Sequence, residues 1–261
     1  MPFVEANGIR IHYERTGGAK PALLLLHGMT DNWQFWPRVM DTLHDRYDLL
    51  MLDARGHGLS ESPASGYTYD SLATDVAGVM RALGVAAAGL VGHSMGAMTA
   101  AVAAAHYPEL VTCLVLEDPP WSDDAPSKED RAIHAEYLRK SITGAPRGDP
   151  ARRSGSDFDP WLDAGMPVSP NIAQIIDAEA PGWQDIVTQI TCPTLLMTAD
   201  IERGSIVTAQ VAARATALNS LVQVMHIANA GHLIRRERFD DYMTAVQRFL
   251  STAPPLRTPP S

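Results

Sequence analysis

The sequence predicts an α/β protein built on a mostly parallel sheet, and three observations carry that prediction. Short unbroken apolar runs recur along the chain, helical patterns fill the intervals between them, and glycine or proline bounds most of the runs. A strand covered on both faces reads as a continuous apolar run, whereas a half-covered one alternates. Strand and helix in alternation build a parallel sheet, because the helix is the crossover that returns the chain for the next strand.

Composition sets the outer bounds. The chain has 261 residues, 46% hydrophobic and 20% charged, which is enough apolar material to fill the core of one large domain. The formal net charge is −9, so a nucleic-acid backbone would meet a like-charge field. The cluster of Arg235, Arg236 and Arg238 sits beside Glu237, Asp240 and Asp241 and makes no basic stripe. No run approaches the roughly 20 apolar residues of a membrane span. The first residues show neither a basic nor an apolar leader region, so a cytoplasmic protein is expected.

The elements follow in order. Residues 3–15 alternate on either side of Asn7-Gly8, the pair that a tight hairpin turn prefers. Residues 21–27, with four consecutive leucines, read as the first buried parallel strand. Residues 49–53, 90–91, 113–116, 194–197 and 221–227 repeat the type. Helices are expected at 69–83, where Leu72, Val76, Val79, Met80 and Leu83 share one face, and at 94–106, 207–218 and 239–250. Residues 119–185 break the rhythm, with 9 of the 19 prolines and short helical pieces at 128–141 and 171–180. They read as an insertion over the sheet. The tail at 253–261 is proline-rich and is expected to be disordered.

Gly92-His93-Ser94-Met95-Gly96 is the chemically informative segment. A G-x-S-x-G pentapeptide between a buried strand and a helix puts a serine on a sharp turn, with glycines where neighbouring segments leave no room for Cβ. A serine hydroxyl needs a base, itself oriented by an acid. His232, in the loop after the last apolar run, is the best-placed of the nine histidines. The N–H of Met95, next after Ser94, is a candidate donor to a developing oxyanion. Cys113 and Cys192 lack metal or disulfide-framework spacing and read as buried thiols. No phosphate-binding glycine motif is present, and neither a metal nor another cofactor is implied.

His27-Gly28-Met29, Asp53-Ala54-Arg55-Gly56-His57-Gly58, Gly92–Gly96 and Gly231-His232 together resemble the α/β-hydrolase superfamily, over about residues 3 to 250. The resemblance implies an eight-stranded, mostly parallel sheet flanked by helices. It makes residues 1–118 and 186–252 the core and residues 119–185 a small helical cap. It adds the Met29 N–H as the second oxyanion donor. His27, His93, Arg55 and His57 then read as structural supports. It also places an acid a few residues beyond the strand before the last, where the chain reads LLMTADIERGSIV. Asp200 is the first carboxylate there and the leading candidate, with Glu202 as the alternative. Glu117 or Asp118, after the preceding strand, is a third, because some family members carry their acid at that point.

The expected chemistry is cleavage of a carboxylic ester or lactone through an acyl-enzyme, by Ser94, His232 and Asp200. The expected partner is a small apolar or aromatic substrate. Thr30, Trp33, Trp121, Trp161 and Met166 are the candidate lining residues, and the tryptophans serve equally well as glue between cap and core. Residues 119–185 hold twelve acids against seven bases, which offers no general steering of an anion. A carbon–carbon bond hydrolase or a cofactor-free perhydrolase would use the same triad, and a slow-turnover hydrolase-like receptor would keep it. Serine at position 94 argues against dehalogenase or epoxide hydrolase chemistry, which needs a carboxylate there.

Overall fold

Asn7 and Gly8 both adopt positive φ, 50° and 74°, and their turn closes strand β1 (Phe3–Ala6) onto β2 (Ile9–Arg15). The computed structural model describes residues 2–124, 127–144, 168–178 and 180–252. After β2 come β3 (Ala22–Leu26), β4 (Asp48–Leu52), β5 (Ala88–His93), β6 (Val111–Glu117), β7 (Thr194–Ala199) and β8 (Val222–Ile227). They form one sheet in the order β1-β2-β4-β3-β5-β6-β7-β8, antiparallel at the β1-β2 and β2-β4 pairs and parallel elsewhere.

Each leucine run divides its side chains between two apolar layers. Leu24, Leu26, Leu50, Leu52, Leu90 and Leu114 face one layer, while Leu23, Leu25, Leu49, Met51, Val91 and Val115 face the other. Helices α2 (Tyr69–Ala82) and α3 (Met95–His106) close the first layer. Helix α1 (Pro37–Leu43) packs on the second. Burial on both faces is why these strands carry no polar alternation. Helix α3 is buried on all sides from Met95 to Ala104, which explains why its sequence is apolar all round rather than striped. Thr68 caps α2 by accepting the Ser71 N–H.

Between β6 and β7 the described elements are α4 (Lys128–Gly144), a tight turn at Pro170–Ala173, α5 (Gln174–Asp177) and α6 (Trp183–Gln189). The expected end of the insertion at residue 185 falls inside α6, which packs against α3 and against α7 (Ala209–Leu218). Trp121 and Trp183 stack with ring centroids 5.5 Å apart. Trp161, Met166 and the tail at 253–261 lie outside the described residues.

Two helices end the described chain, the one-turn α8 (Ile234–Glu237) and the longer α9 (Phe239–Thr252). Helix α9 joins α1 on the second layer. Helix α8 is tied to the end of β6 by a buried ion pair. Glu117 accepts from the Arg235 guanidinium at 2.6 Å and from the Arg235 N–H at 2.9 Å. The guanidinium also lies over the Trp36 ring at 4.2 Å. Cys113 and Cys192 are buried, and burial pushes their thiols up to about 12 and about 11.

Because both members of the Glu117–Arg235 pair are out of water, neutralising one strands the other. Glu117→Gln is expected to lose about 3–5 kcal/mol of stability in urea titrations, whereas Arg81→Gln, at an exposed pair, loses less than about 1 kcal/mol.

Candidate active site

Ser94 stands at the carboxyl end of β5, where the chain turns into α3. Its backbone is strained, at φ 52° and ψ −116°. A Cβ on Gly92 would collide with the Gly96 carbonyl, and one on Gly96 with the Leu26 carbonyl, so strand, turn and helix close up only with glycine at both places. The Ser94 N–H donates to the Glu117 carbonyl at 2.9 Å. That bond fixes the elbow against the end of β6, and the next residue along is Asp118.

Asp118 also has positive φ, 42°, and its side chain is fully buried. Its carboxylate accepts from Ser205 Oγ at 2.9 Å, from the Ile206 N–H at 2.9 Å and from the Val207 N–H at 3.0 Å. A fourth contact, at 2.6 Å, is to Nδ1 of His232. The His232 loop leaves β8 through Asn229, at φ 61°, and reaches back across the end of β7. Gly231 fits there because a Cβ would strike the Arg203 carbonyl. With Nδ1 on a carboxylate, Nε2 is left as the free ring nitrogen, the arrangement a general base requires.

Asp200 does not meet the imidazole of His232, contrary to expectation. Its Oδ1 lies 3.0 Å from Nε2 of His226, its Oδ2 accepts the Asn229 N–H at 2.8 Å, and its own N–H donates to the Ala230 carbonyl at 2.9 Å. Asp200 thus braces the loop that carries His232. The Asp200 carboxylate is taken up by His226 and the Asn229 amide, and the His232 ring turns instead onto the carboxylate at the end of β6. Glu202 is exposed on the turn Ile201–Arg203. The sequence signal for Asp118 was its place as the first residue past a buried strand, followed by Pro119-Pro120.

The loop after β3 carries Met29, the residue expected to give the second oxyanion donor. Met95 begins α3, so its N–H is among the unpaired donors of a helix start. Met29 is half-buried, and its carbonyl lies 2.7 Å from Nε2 of His57. Gly28 leaves no space for a Cβ between the His93 ring and the Asp31 carboxylate. His27 lies 2.7 Å from the Gly28 carbonyl through Nδ1, and its Nε2 accepts the Ala54 N–H at 3.0 Å, which defines a neutral ring. Burial pushes His27 below its ordinary value, against the opposing charge of Asp53. Asp53 in turn accepts the Trp33 N–H at 2.9 Å and touches Nδ1 of His12 at 2.8 Å. Arg55 bonds Asp75 at 2.6 Å and 2.7 Å behind the loop.

Thr30 is exposed on this loop and Trp33 is half-buried beside it. Trp121 is fully buried, with Nε1 on Met98 Sδ at 3.3 Å and its ring stacked on Trp183. In this structure it is a core side chain rather than an exposed wall. Among the described residues, no three His, Cys, Asp or Glu side chains converge as metal ligands would, and no helix is long and apolar enough to cross a membrane.

Residues 21–138 match the α/β-hydrolase-fold family. An N-formylmaleamate deformylase of Pseudomonas putida is 33% identical over 262 residues, covering 95% of each chain. The chain is an α/β hydrolase. A 2-(acetamidomethylene)succinate hydrolase of Mesorhizobium japonicum is 30% identical to this α/β hydrolase over 90% of each chain. A solved thermophilic esterase of Thermogutta terrifontis, with malate bound, superposes on it at a TM-score of 0.80, with 25% identity over 96% of this chain and 98% of that one.

If Asp118 orients His232, Asp118→Asn is expected to lower kcat for p-nitrophenyl acetate by about four orders of magnitude, and Asp200→Asn by no more than about tenfold, the usual scale of a lost loop brace. Equal losses in the two variants would overturn the assignment. Because burial holds His27 below the ordinary histidine value of 6.5, the unfolded chain takes up its proton first. Its contribution to stability is therefore complete above pH 6.5 and is lost as pH falls. Urea midpoints are expected to drop from pH 7.5 toward pH 5 in the native protein, and less steeply in His27→Asn.

Proposed function

We propose that this α/β hydrolase is a serine hydrolase that cleaves a small N-acyl compound through an acyl-enzyme, with Ser94 as nucleophile, His232 as base and Asp118 as orienting acid. The observation that carries the reading is the 2.6 Å contact between His232 Nδ1 and Asp118, beside a serine held at positive φ. His232 takes the Ser94 proton as Oγ attacks the acyl carbon. The N–H groups of Met29 and Met95 receive the developing oxyanion, at about 3 kcal/mol each. An amine leaves poorly as an anion, so the proton on His232 passes to the departing nitrogen. A water deprotonated by the same imidazole then releases the acid.

The amide reading is favoured by two relatives that align over nearly their whole length, whose names carry an N-formyl and an acetamido group. Ester or lactone cleavage is the second reading, supported by the esterase with the same architecture. Both share every step except the identity of the leaving atom. The substrate is a small molecule, met in solution in the cytoplasm, and the segment between β6 and β7 forms the cap of its pocket, with Thr30 and Trp33 on the opposite wall.

Ser94→Ala is expected to abolish turnover of both p-nitrophenyl acetate and N-formyl or N-acetyl enamides, at least about 10³-fold, with an unchanged unfolding transition. Native enzyme should turn over many equivalents and show an acyl adduct on Ser94 by mass spectrometry. Residual turnover in the alanine variant at the native rate would sink the proposal.

A further inference from the structure

His93 is the first of the two variable residues inside the G-x-S-x-G pentapeptide, and the triad chemistry does not use it. Its side chain is buried at the end of β5. Nε2 lies 3.0 Å from the main-chain carbonyl of His232, an acceptor, so this nitrogen carries the proton and donates. The two imidazoles lie with centroids 4.7 Å apart and planes tilted by 48°. On the other side, Nδ1 has no hydrogen-bond partner among the described residues and sits 3.7 Å from Oδ2 of Asp31. Asp31 is itself buried. Burial alone would raise its carboxyl, but His93 beside it and Arg235 nearby hold it below the usual carboxylate range.

His93 therefore spans two loops that have to agree in position. One is the loop after β3, which presents the Met29 N–H and packs Gly28 and Asp31 against the His93 ring. The other is the loop after β8, which presents His232. We propose that His93 is a positioning residue, packed between the loop after β3 and the loop after β8, that sets the placement of the His232 imidazole through its backbone carbonyl and a ring contact. It works because Asp118 fixes only one end of the His232 ring: a contact at Nδ1 still leaves the ring free to swing about that point. The Nε2–H of His93, bonded to the carbonyl of the same residue, supplies a second fixed point. The charged and titratable groups that bear on His93 are Asp31 from the loop after β3, the His232 ring itself, and Arg235 of α8 acting through Asp31.

This inference rests on the serine-hydrolase reading for its kinetic readout but not for its spectroscopic one. His93→Phe keeps a flat ring against His232 and removes the donor, whereas His93→Gln keeps an N–H donor. In His93→Phe, kcat for p-nitrophenyl acetate is expected to fall about 10- to 100-fold, the scale of a small misplacement of a catalytic group, with KM within about twofold. The His232 Nδ1–H proton resonance should shift or broaden. His93→Gln should restore most of kcat and return the resonance toward its native position. A folded His93→Phe protein with native kcat and an unmoved resonance would overturn the inference. Should that variant fail to fold, Asp31→Asn replaces it: a reduced kcat with a displaced His232 resonance supports the proposal, and native values of both overturn it. Ser94→Ala run in parallel separates the two failures. If that variant stays active, the serine reading falls and the resonance alone decides the role of His93.

Discussion

The site depends on one buried carboxylate being held at the right place. Asp118 comes off a central strand at a positive φ, a conformation that costs of order 1–3 kcal/mol for a non-glycine residue. That cost is offset by four partners: a hydroxyl, two backbone N–H groups and an imidazole. The geometry leaves the carboxylate no freedom to do anything but orient the ring. Because Ser94 is bonded by its own N–H to the residue before Asp118, Ser94 and Asp118 are registered by adjacent strands rather than by flexible loops. Only the histidine arrives on a loop, and that loop is braced by Asp200 and Glu237.

Around this centre lies an unusual concentration of buried charge. Glu117 and Arg235 pair under the elbow, Asp31 faces His93, Asp53 meets His12, and Arg55 meets Asp75. Buried pairs of this kind contribute little net stability compared with well-packed apolar groups. What they add is direction. Three of them, Glu117–Arg235, Asp53–His12 and Arg55–Asp75, bind two segments with a hydrogen-bond geometry that hydrophobic packing would leave loose. The apolar layers on the two faces of the sheet supply the stability on which this arrangement stands.

Much of this was legible in the chain before any coordinates. The leucine runs showed strands covered on both faces, and the pentapeptide at Gly92–Gly96 showed a serine at a strand-to-helix turn. Both are local signals, written in consecutive residues. The partner of His232 is not a local signal. Asp118 and Asp200 each follow a buried strand, and nothing in the nearby sequence distinguishes them. The difference lies in which carboxylate the loop after β8 folds onto, a property of the tertiary structure. Trp121 shows the same limit: an indole beside a Pro-Pro pair suits a pocket wall as well as a core, and only its stack on Trp183, 62 residues later, decides for the core. His93 was readable as a structural support, but not as the link between two loops, and Asp31 carried no signal.

The grip on Asp118 has a further consequence for how the turn after β7 tolerates sequence change. Ile206 and Val207 meet the carboxylate only through their amides, so any amino acid that keeps the local path delivers the same donors. Proline is the exception, since it has no amide hydrogen to give. Selection at Ile206 therefore acts on backbone shape with a single forbidden letter, while Val207, buried in the apolar layer, is held in addition to a small apolar side chain.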